Sequence, residues 1–199
     1  MIVVIASENY IPNEFDILRE LFEQGLTHFH LRKPEKSIEE YRKYLDKIDK
    51  KYHSRIVLHQ YHELRQEFDL KGIHLQEQTR REVGTDLESF VEIIKRSGFS
   101  VSSSFHELKE LKECSAKFDY HLLSPVFSSI SKQGYEGRGF DVNSIDKGII
   151  GMGGINASTV KATIKLGYKG VGVLGGIWND ENPIKSFLAI KKEFENRES

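Results

Sequence analysis

The sequence predicts one compact α/β domain, a (β/α)8 TIM barrel that spans residues 1–199. Three observations support this fold: eight short apolar runs recur about every 25 residues, most precede a helical pattern, and the last two end in paired glycines. Short continuous apolar runs are typical of parallel strands buried on both faces. A doubly wound open sheet, the alternative, would need a glycine fingerprint after the first strand, where Ser7-Glu8-Asn9-Tyr10 contains no glycine.

The eight strands are predicted from β-branched and apolar runs that are bounded by glycine or polar residues. They are Ile2–Ala6, Thr27–Arg32, Arg55–His59, Gly72–Leu75, Phe99–Ser103, Tyr120–Leu123, and the runs that begin at Ile149 and Val171. Because side chains alternate along a strand, His28, His30 and Arg32 should share one face of the second strand.

The helices are predicted from helical spacing of apolar residues and from capping residues. Asn13 should cap the first helix and Asn156 the helix after the seventh strand, and Ser37 with Glu40 forms a capping box for the second helix. Glu181 or Asn182 should open the last helix, with Pro183 in its first turn. The other helices are expected at about 62–68, 87–97, 107–116 and 156–166, whereas the charged stretch Gln76–Thr85 and the polar loop Ser124–Gly139 are predicted as connections.

Composition excludes several classes of protein. Lys+Arg number 29 and Asp+Glu 30, which gives no reason to expect binding to nucleic acid or to a membrane surface. The single cysteine, Cys114, rules out an internal disulfide, and no run approaches the length of a membrane span. The chain begins with a strand rather than a basic leader, so a cytoplasmic protein without a signal peptide is expected. A homodimer is compatible with this composition, although no apolar stripe requires one.

In a barrel, chemistry lies at the carboxyl ends of the strands. These positions hold histidines, hydroxyls and cations: His30, Arg32, Lys33, His59, His74, Ser104, His106, Ser129, Ser131 and Lys132. Imidazoles suit proton transfer near neutral pH, and the cations suit an anionic ligand. No short ligand spacing such as HExxH is present, so no metal site is predicted.

The paired glycines Gly153-Gly154 and Gly175-Gly176 follow the seventh and eighth strands. The loops after these strands commonly hold a phosphate in this fold, through backbone N–H groups that glycine leaves accessible. The residues alone therefore indicate proton transfer on a small phosphorylated molecule, and they do not identify that molecule.

Several segments, in order along the chain, resemble the thiamine phosphate synthase/TenI family. They are His30-Leu31-Arg32-Lys33, Gly72-Ile73-His74-Leu75, Ser104-Phe105-His106, Asp119-Tyr120, Ser124–Lys132, Gly151-Met152-Gly153-Gly154-Ile155 and Gly170-Val171-Gly172-Val173. The resemblance implies a barrel that binds a thiazole phosphate, with the phosphate near Gly153, Gly154, Gly175 and Gly176.

The family contains two activities that need different residues. Its synthases join a pyrimidine diphosphate to thiazole phosphate with Mg²⁺, and they carry aspartates after the third and fourth strands. Here those positions have His59-Gln60 and Gln76-Glu77-Gln78-Thr79, so both expected aspartates are absent. A divergent synthase would have to place Mg²⁺ with Glu77 and water.

The TenI branch is a thiazole tautomerase that aromatises its substrate by moving a proton, without a metal or another cofactor. The resemblance assigns the acid/base role to His106, anion binding to Arg32 and Lys132, and hydroxyl contacts to Ser129 and Ser131. The run Lys132–Gly139 and His30, in place of a synthase glutamine, also favour this branch. A protein that binds thiazole phosphate without turnover, in a regulatory role, is the remaining alternative.

Overall fold

The computed structural model describes residues 1–128 and 137–196, and it contains the closed parallel barrel that the sequence predicts. The strands follow one another around the barrel in chain order, and the last pairs with the first through Ile2 and Val171. The strands are β1 (Ile2–Ile5), β2 (His28–Leu31), β3 (Ile56–Leu58), β4 (Gly72–Leu75), β5 (Ser100–Phe105), β6 (Tyr120–Leu123), β7 (Ile149–Met152) and β8 (Gly170–Val173). The TIM-barrel prediction is confirmed.

Helices surround the strands. They are α1 (Glu14–Glu23), α2 (Ile38–Asp46), α3 (Leu64–Glu67), α4 (Glu77–Val83), α5 (Leu87–Arg96), α6 (Leu108–Glu113), α7 (Val160–Lys165), α8 (Gly175–Trp178) and α9 (Pro183–Glu195). Short 3-10 helices cover Lys50–Arg55 and Gly84–Asp86. Among the described residues, no helix combines the length and the apolar character needed to cross a bilayer.

The helix starts follow capping chemistry in two of four predicted cases. At α7 the cap position is Thr159 rather than the predicted Asn156. Ser37 and Glu40 form the complete capping box of α2, and the Asn182 side chain accepts from the Lys185 N–H at the start of α9. The predicted cap at Asn13 is wrong. Asn13 has a left-handed backbone (φ 56°) and no capping hydrogen bond, whereas an N-cap side chain reaches the helix from an extended backbone.

Because side chains alternate along each strand, one set packs outside the barrel against the helices and the other fills the barrel interior. Outward-facing side chains such as Phe29, Leu58 and Ile73 pack against the helices. Inside the barrel, Val3, Ile5 and Ile150 form an apolar cluster on one side. The rest of the interior is polar: His30, His74 and Ser102 are buried there, and Tyr120, a member of the apolar cluster, directs its hydroxyl to His30. This polar half of the interior supports the functional site at the mouth.

Candidate active site

His106 lies just beyond the end of β5, at the mouth of the barrel. Its ring Nδ1 contacts a carboxylate oxygen of Glu77, the first residue of α4. Because a carboxylate only accepts, Nδ1 must carry the proton of this hydrogen bond. The second ring nitrogen, Nε2, is then the one that can exchange a proton with a ligand, and the side chain is 42% exposed. The geometry provides an oriented imidazole at the mouth.

Neighbouring charges hold this pair in place. The other carboxylate oxygen of Glu77 contacts Arg81, one helical turn later on α4. Arg138 donates to the backbone carbonyl of His106 at 2.9 Å and to Glu107 at 2.5 Å. Arg138 belongs to the Lys132–Gly139 run that favoured the tautomerase branch, and the structure connects the end of that run to the segment that carries His106.

The strand β5 connects His106 to the barrel interior. Ser104 points inward, and its hydroxyl lies 2.7 Å from His74 Nε2. Phe105 points outward and lies under the Arg80 guanidinium, 3.9 Å from the ring centroid. The segment Ser104-Phe105-His106 thus places a hydroxyl in the interior and an imidazole at the mouth.

Three of the predicted histidines form one buried cluster below His106. His30 Nδ1 lies 2.9 Å from His59 Nε2, and His30 Nε2 lies 2.6 Å from the Tyr120 hydroxyl. His74 Nδ1 lies 2.8 Å from the Ser102 hydroxyl. The three imidazoles His30, His59 and His74 are at most 7% exposed. They therefore line the floor of the site rather than its open surface.

Burial governs the charge of this cluster. Desolvation is the largest cause that lowers the pKa of His74 to about 3, and nearby His62 and Arg32 lower it further. Burial and the neighbouring histidines likewise hold the pKa values of His30 and His59 well below the ordinary value for histidine. All three imidazoles are neutral at physiological pH.

The two cations after β2 have different positions. Arg32 is partly exposed at the mouth and is paired with Glu8. Lys33 is 5% exposed, and its ammonium lies 2.8 Å from Glu14 at the start of α1. The structure therefore does not bring Lys33 to the site, because its ammonium is paired with Glu14 between the barrel and α1.

The glycine loops after β7 and β8 lie side by side, as predicted. Gly153 and Gly154 have positive φ angles of 99° and 64°. A Cβ atom at Gly154 would lie 2.7 Å from Phe127 Cβ, and one at Gly176 would clash with the Ile155 carbonyl oxygen. Gly175 begins α8 beside them. Ser129, Ser131 and Lys132 lie outside the described residues, as does the rest of the segment 129–136 within the polar loop Ser124–Gly139.

Substitution of Gly176 by alanine tests this close approach. We expect Gly176→Ala to lower the free energy of unfolding by about 1–3 kcal/mol, because the new methyl group meets main-chain atoms that cannot rotate away. Urea unfolding measures this change. Gly148→Ala is the matched control, since its Cβ would have ordinary contacts from 3.4 Å and should cost less than about 1 kcal/mol. Equal losses in both variants would contradict the predicted close contact.

Comparison with known proteins identifies the family. The model of the TMP-TENI family, described as thiamine monophosphate synthase, matches residues 1–177. The chain belongs to this family. No protein in the comparison with curated proteins matches it.

Solved structures agree with this assignment. A thiamine phosphate pyrophosphorylase from Bacteroides thetaiotaomicron is 31% identical, with a TM-score of 0.74 and coverage of 98% of this chain and 97% of that chain. A thiamine phosphate pyrophosphorylase from Pyrococcus furiosus has a TM-score of 0.80 at 19% identity, over 100% and 96% of the two chains. A 3-hexulose-6-phosphate synthase from Salmonella typhimurium (TM-score 0.67, 14% identity, 98% and 99% coverage) shares the fold.

The residues at the synthase Mg²⁺ positions do not fit that ion. Mg²⁺ needs several hard oxygen ligands, usually including carboxylates. The Gln60 side-chain oxygen accepts from the Tyr41 hydroxyl at 2.8 Å, and both carboxylate oxygens of Glu77 are paired with His106 and Arg81. Gln78 donates to Glu82. At these positions, therefore, the ligand oxygens are either neutral or already engaged.

Proposed function

We propose that this chain is a thiazole tautomerase, which aromatises a thiazole phosphate by transferring a proton without a metal ion. The observation that carries this proposal is the hydrogen bond between His106 and Glu77 at the mouth of the barrel. In the synthase alternative Glu77 would be a Mg²⁺ ligand, whereas here it orients an imidazole.

The proposed reaction uses the two ring nitrogens of His106 differently. Glu77 keeps Nδ1 protonated, so Nε2 removes a proton from one carbon of the non-aromatic ring system. The imidazolium that forms is stabilised by the adjacent carboxylate. It then returns a proton to a second carbon, so that the ring becomes aromatic and the enzyme is regenerated with no net gain or loss of protons.

The remaining anionic groups of the substrate are assigned to the rim. The phosphate would lie against the loops of Gly153, Gly154, Gly175 and Gly176, where backbone N–H groups can donate to it. Among the described residues, no acceptor for the N–H groups of these glycines is recorded. Arg32 follows β2, which lies two strands from β8 around the closed barrel, and it could exchange its Glu8 partner for a substrate anion. Lys132, Ser129 and Ser131 remain expected contacts from the family resemblance.

The direct test is an assay of the wild-type protein in the presence of a chelator. Incubation with the non-aromatic tautomer of thiazole phosphate carboxylate should give the aromatic product. Proton NMR follows the formation of this product. Product formation at the uncatalysed rate, with or without added metal ions, would overturn the proposal.

A second prediction concerns Glu77. Glu77→Gln should lower kcat about tenfold, because an amide cannot stabilise the imidazolium as a carboxylate does. KM should change little, since Glu77 contacts His106 and Arg81 rather than the ligand. Glu82→Gln, on the same helix and exposed, is the control and should behave as wild type. A kcat of Glu77→Gln equal to that of wild type would show that Glu77 does not assist His106.

A divergent thiamine phosphate synthase is the second candidate function. The observation in its favour is the 31% identity to the Bacteroides thetaiotaomicron protein described as a thiamine phosphate pyrophosphorylase. This reaction releases diphosphate from a pyrimidine diphosphate, which a colorimetric assay detects. Diphosphate release that depends on both thiazole phosphate and Mg²⁺ would make this candidate the better one.

A further inference from the structure

We propose that His30, His59 and His74 form a binding site for a divalent transition-metal ion of the zinc class, buried beneath the barrel mouth. This site is separate from the proposed proton-transfer pair, and nothing in the tautomerase proposal requires it.

The geometry brings three imidazoles from three adjacent strands together. One nitrogen from each ring lies within 4.8 Å of the others. The nearest pair, His30 Nδ1 and His59 Nε2, is 2.9 Å apart. Two nitrogens that bind one zinc ion at tetrahedral angles are about 3.3 Å apart, given Zn–N bonds of about 2.0–2.1 Å. Opening this pair by a few tenths of an ångström would admit the ion.

The third ligand requires a modest change of ring orientation. The rings of His59 and His74 are stacked, with centroids 4.2 Å apart and an angle of 28° between their planes. Because the nitrogen lone pairs lie in the ring planes, the two stacked rings do not yet direct their nitrogens at one point. A tilt of either ring would direct its nitrogen toward an ion beside His30.

The surroundings match those of histidine ligands in metal sites. Such a histidine usually donates its second ring N–H to a neighbouring acceptor, which fixes the ring. His30 Nε2 has the Tyr120 hydroxyl at 2.6 Å, and His74 Nδ1 has the Ser102 hydroxyl at 2.8 Å. His30 and His74 can thus each keep one hydrogen bond while the other nitrogen binds the ion, and His74 Nε2 would exchange its 2.7 Å contact with the Ser104 hydroxyl for the metal.

A buried nitrogen without a partner shows that the three histidines do not satisfy one another as they stand. His59 Nδ1 is buried and has no hydrogen-bond partner among the described residues. The shared contact of His30 Nδ1 and His59 Nε2 satisfies one nitrogen of each ring with a single proton. A buried polar atom without a partner costs about 1–3 kcal/mol, so the cluster is not optimised as a closed hydrogen-bond network.

The ligand type selects the ion. Neutral imidazoles bind Zn²⁺, Co²⁺, Ni²⁺ and Cu²⁺ well, whereas Mg²⁺ and Ca²⁺ require oxygen ligands. No recorded contact of the three histidines involves a carboxylate. Three histidine ligands leave one position of a tetrahedral ion for water or another small ligand.

Cobalt substitution tests the site directly. Chelator-treated protein is titrated with Co²⁺, and the visible absorption of four-coordinate cobalt is recorded; Zn²⁺ is then added as a competitor. We expect saturation at one equivalent in the wild type, displacement by Zn²⁺, and a rise in Tm with Zn²⁺. His59→Ala should weaken binding at least about 100-fold.

Two further variants make the outcome decisive. His106→Ala, which removes an exposed histidine outside the cluster, should keep the cobalt spectrum and the affinity. His59→Gln serves the same purpose as His59→Ala and preserves a polar group if the alanine variant does not fold, as judged by circular dichroism. The proposal is overturned if the wild type shows no stoichiometric binding, or if the folded His59 variant binds as tightly as wild type. Aromatisation in the presence of chelator is a separate readout, so failure of the metal site would leave the tautomerase proposal unaffected.

Discussion

His106→Ala is expected to reduce kcat for aromatisation of thiazole phosphate carboxylate by about 10²–10⁴-fold, the usual contribution of a general acid/base. The imidazole would be the only group that moves the proton, and alanine cannot replace it. Binding of the substrate should remain within about threefold of wild type, because the phosphate contacts lie on the loops after β7 and β8. Single-turnover NMR and calorimetric titration measure the two quantities separately.

His28→Asn is the matched control for this prediction. His28 lies on β2 below the cluster, and its Nδ1 contacts the Thr27 hydroxyl at the opposite end of the barrel from His106. Its replacement should leave kcat unchanged. Comparable turnover in His106→Ala and wild type would remove His106 from the mechanism. If the wild type binds thiazole phosphate but converts nothing, the chain is the non-catalytic binder instead.

The stability of the fold should decrease steeply as the pH falls from 6.5 toward 4. His30, His59 and His74 have pKa values in the folded chain below the ordinary 6.5, and that of His74 is about 3. Below pH 6.5 the unfolded chain therefore binds more protons than the folded chain, so acid favours unfolding. The full stabilising contribution is present above pH 6.5. Between pH 6 and pH 5 protonation of His74 in the unfolded chain should cost about 1 kcal/mol of stability, and His30 and His59 act in the same direction.

Urea unfolding in chelator at several pH values measures this dependence. His74→Gln removes one titrating group from the cluster, so its free energy of unfolding should vary less steeply with pH, by about one proton. His28 and His121, whose pKa values burial lowers to about 4, contribute in both proteins and cancel in the comparison. Identical slopes in wild type and His74→Gln would mean that His74 is not held neutral by the fold.

The barrel itself was predictable from local patterns. The bounds of β4 and β6 were predicted correctly, and those of most other strands are within one or two residues. Short apolar runs with polar or glycine ends define such strands because both faces are buried. The capping box of α2 was also visible, since Ser37 and Glu40 satisfy each other's backbone donors.

Helix α4 was missed for a physical reason. Its seven residues, Glu77–Val83, carry almost no apolar side chains, so the usual helical periodicity is absent. The buried position is filled by Arg80, whose guanidinium packs on Phe105 and pairs with Glu110. Sequence reasoning treats such a stretch as a solvated connection, because it cannot foresee that a partner on α6 neutralises the buried charge.

Contacts between distant segments also limited the prediction of the site. The sequence indicated His106 as a candidate, but nothing in the spacing of residues 77 and 106 shows that Glu77 orients its ring. Lys33 was expected to bind the ligand because it follows a strand end. Glu14, nineteen residues earlier, instead accepts from its ammonium, and the Tyr44 hydroxyl donates to the same carboxylate. Pairing between distant segments depends on tertiary packing, which local patterns do not encode.

The most direct test compares the two reactions on one preparation of the wild-type protein. Aromatisation of the thiazole phosphate carboxylate is measured with chelator present, and diphosphate release from the pyrimidine diphosphate with thiazole phosphate is measured with Mg²⁺. If the chain is a metal-independent tautomerase that uses His106, we expect rapid aromatisation and no diphosphate release. Diphosphate release at a catalytic rate, with aromatisation no faster than in buffer, would contradict it.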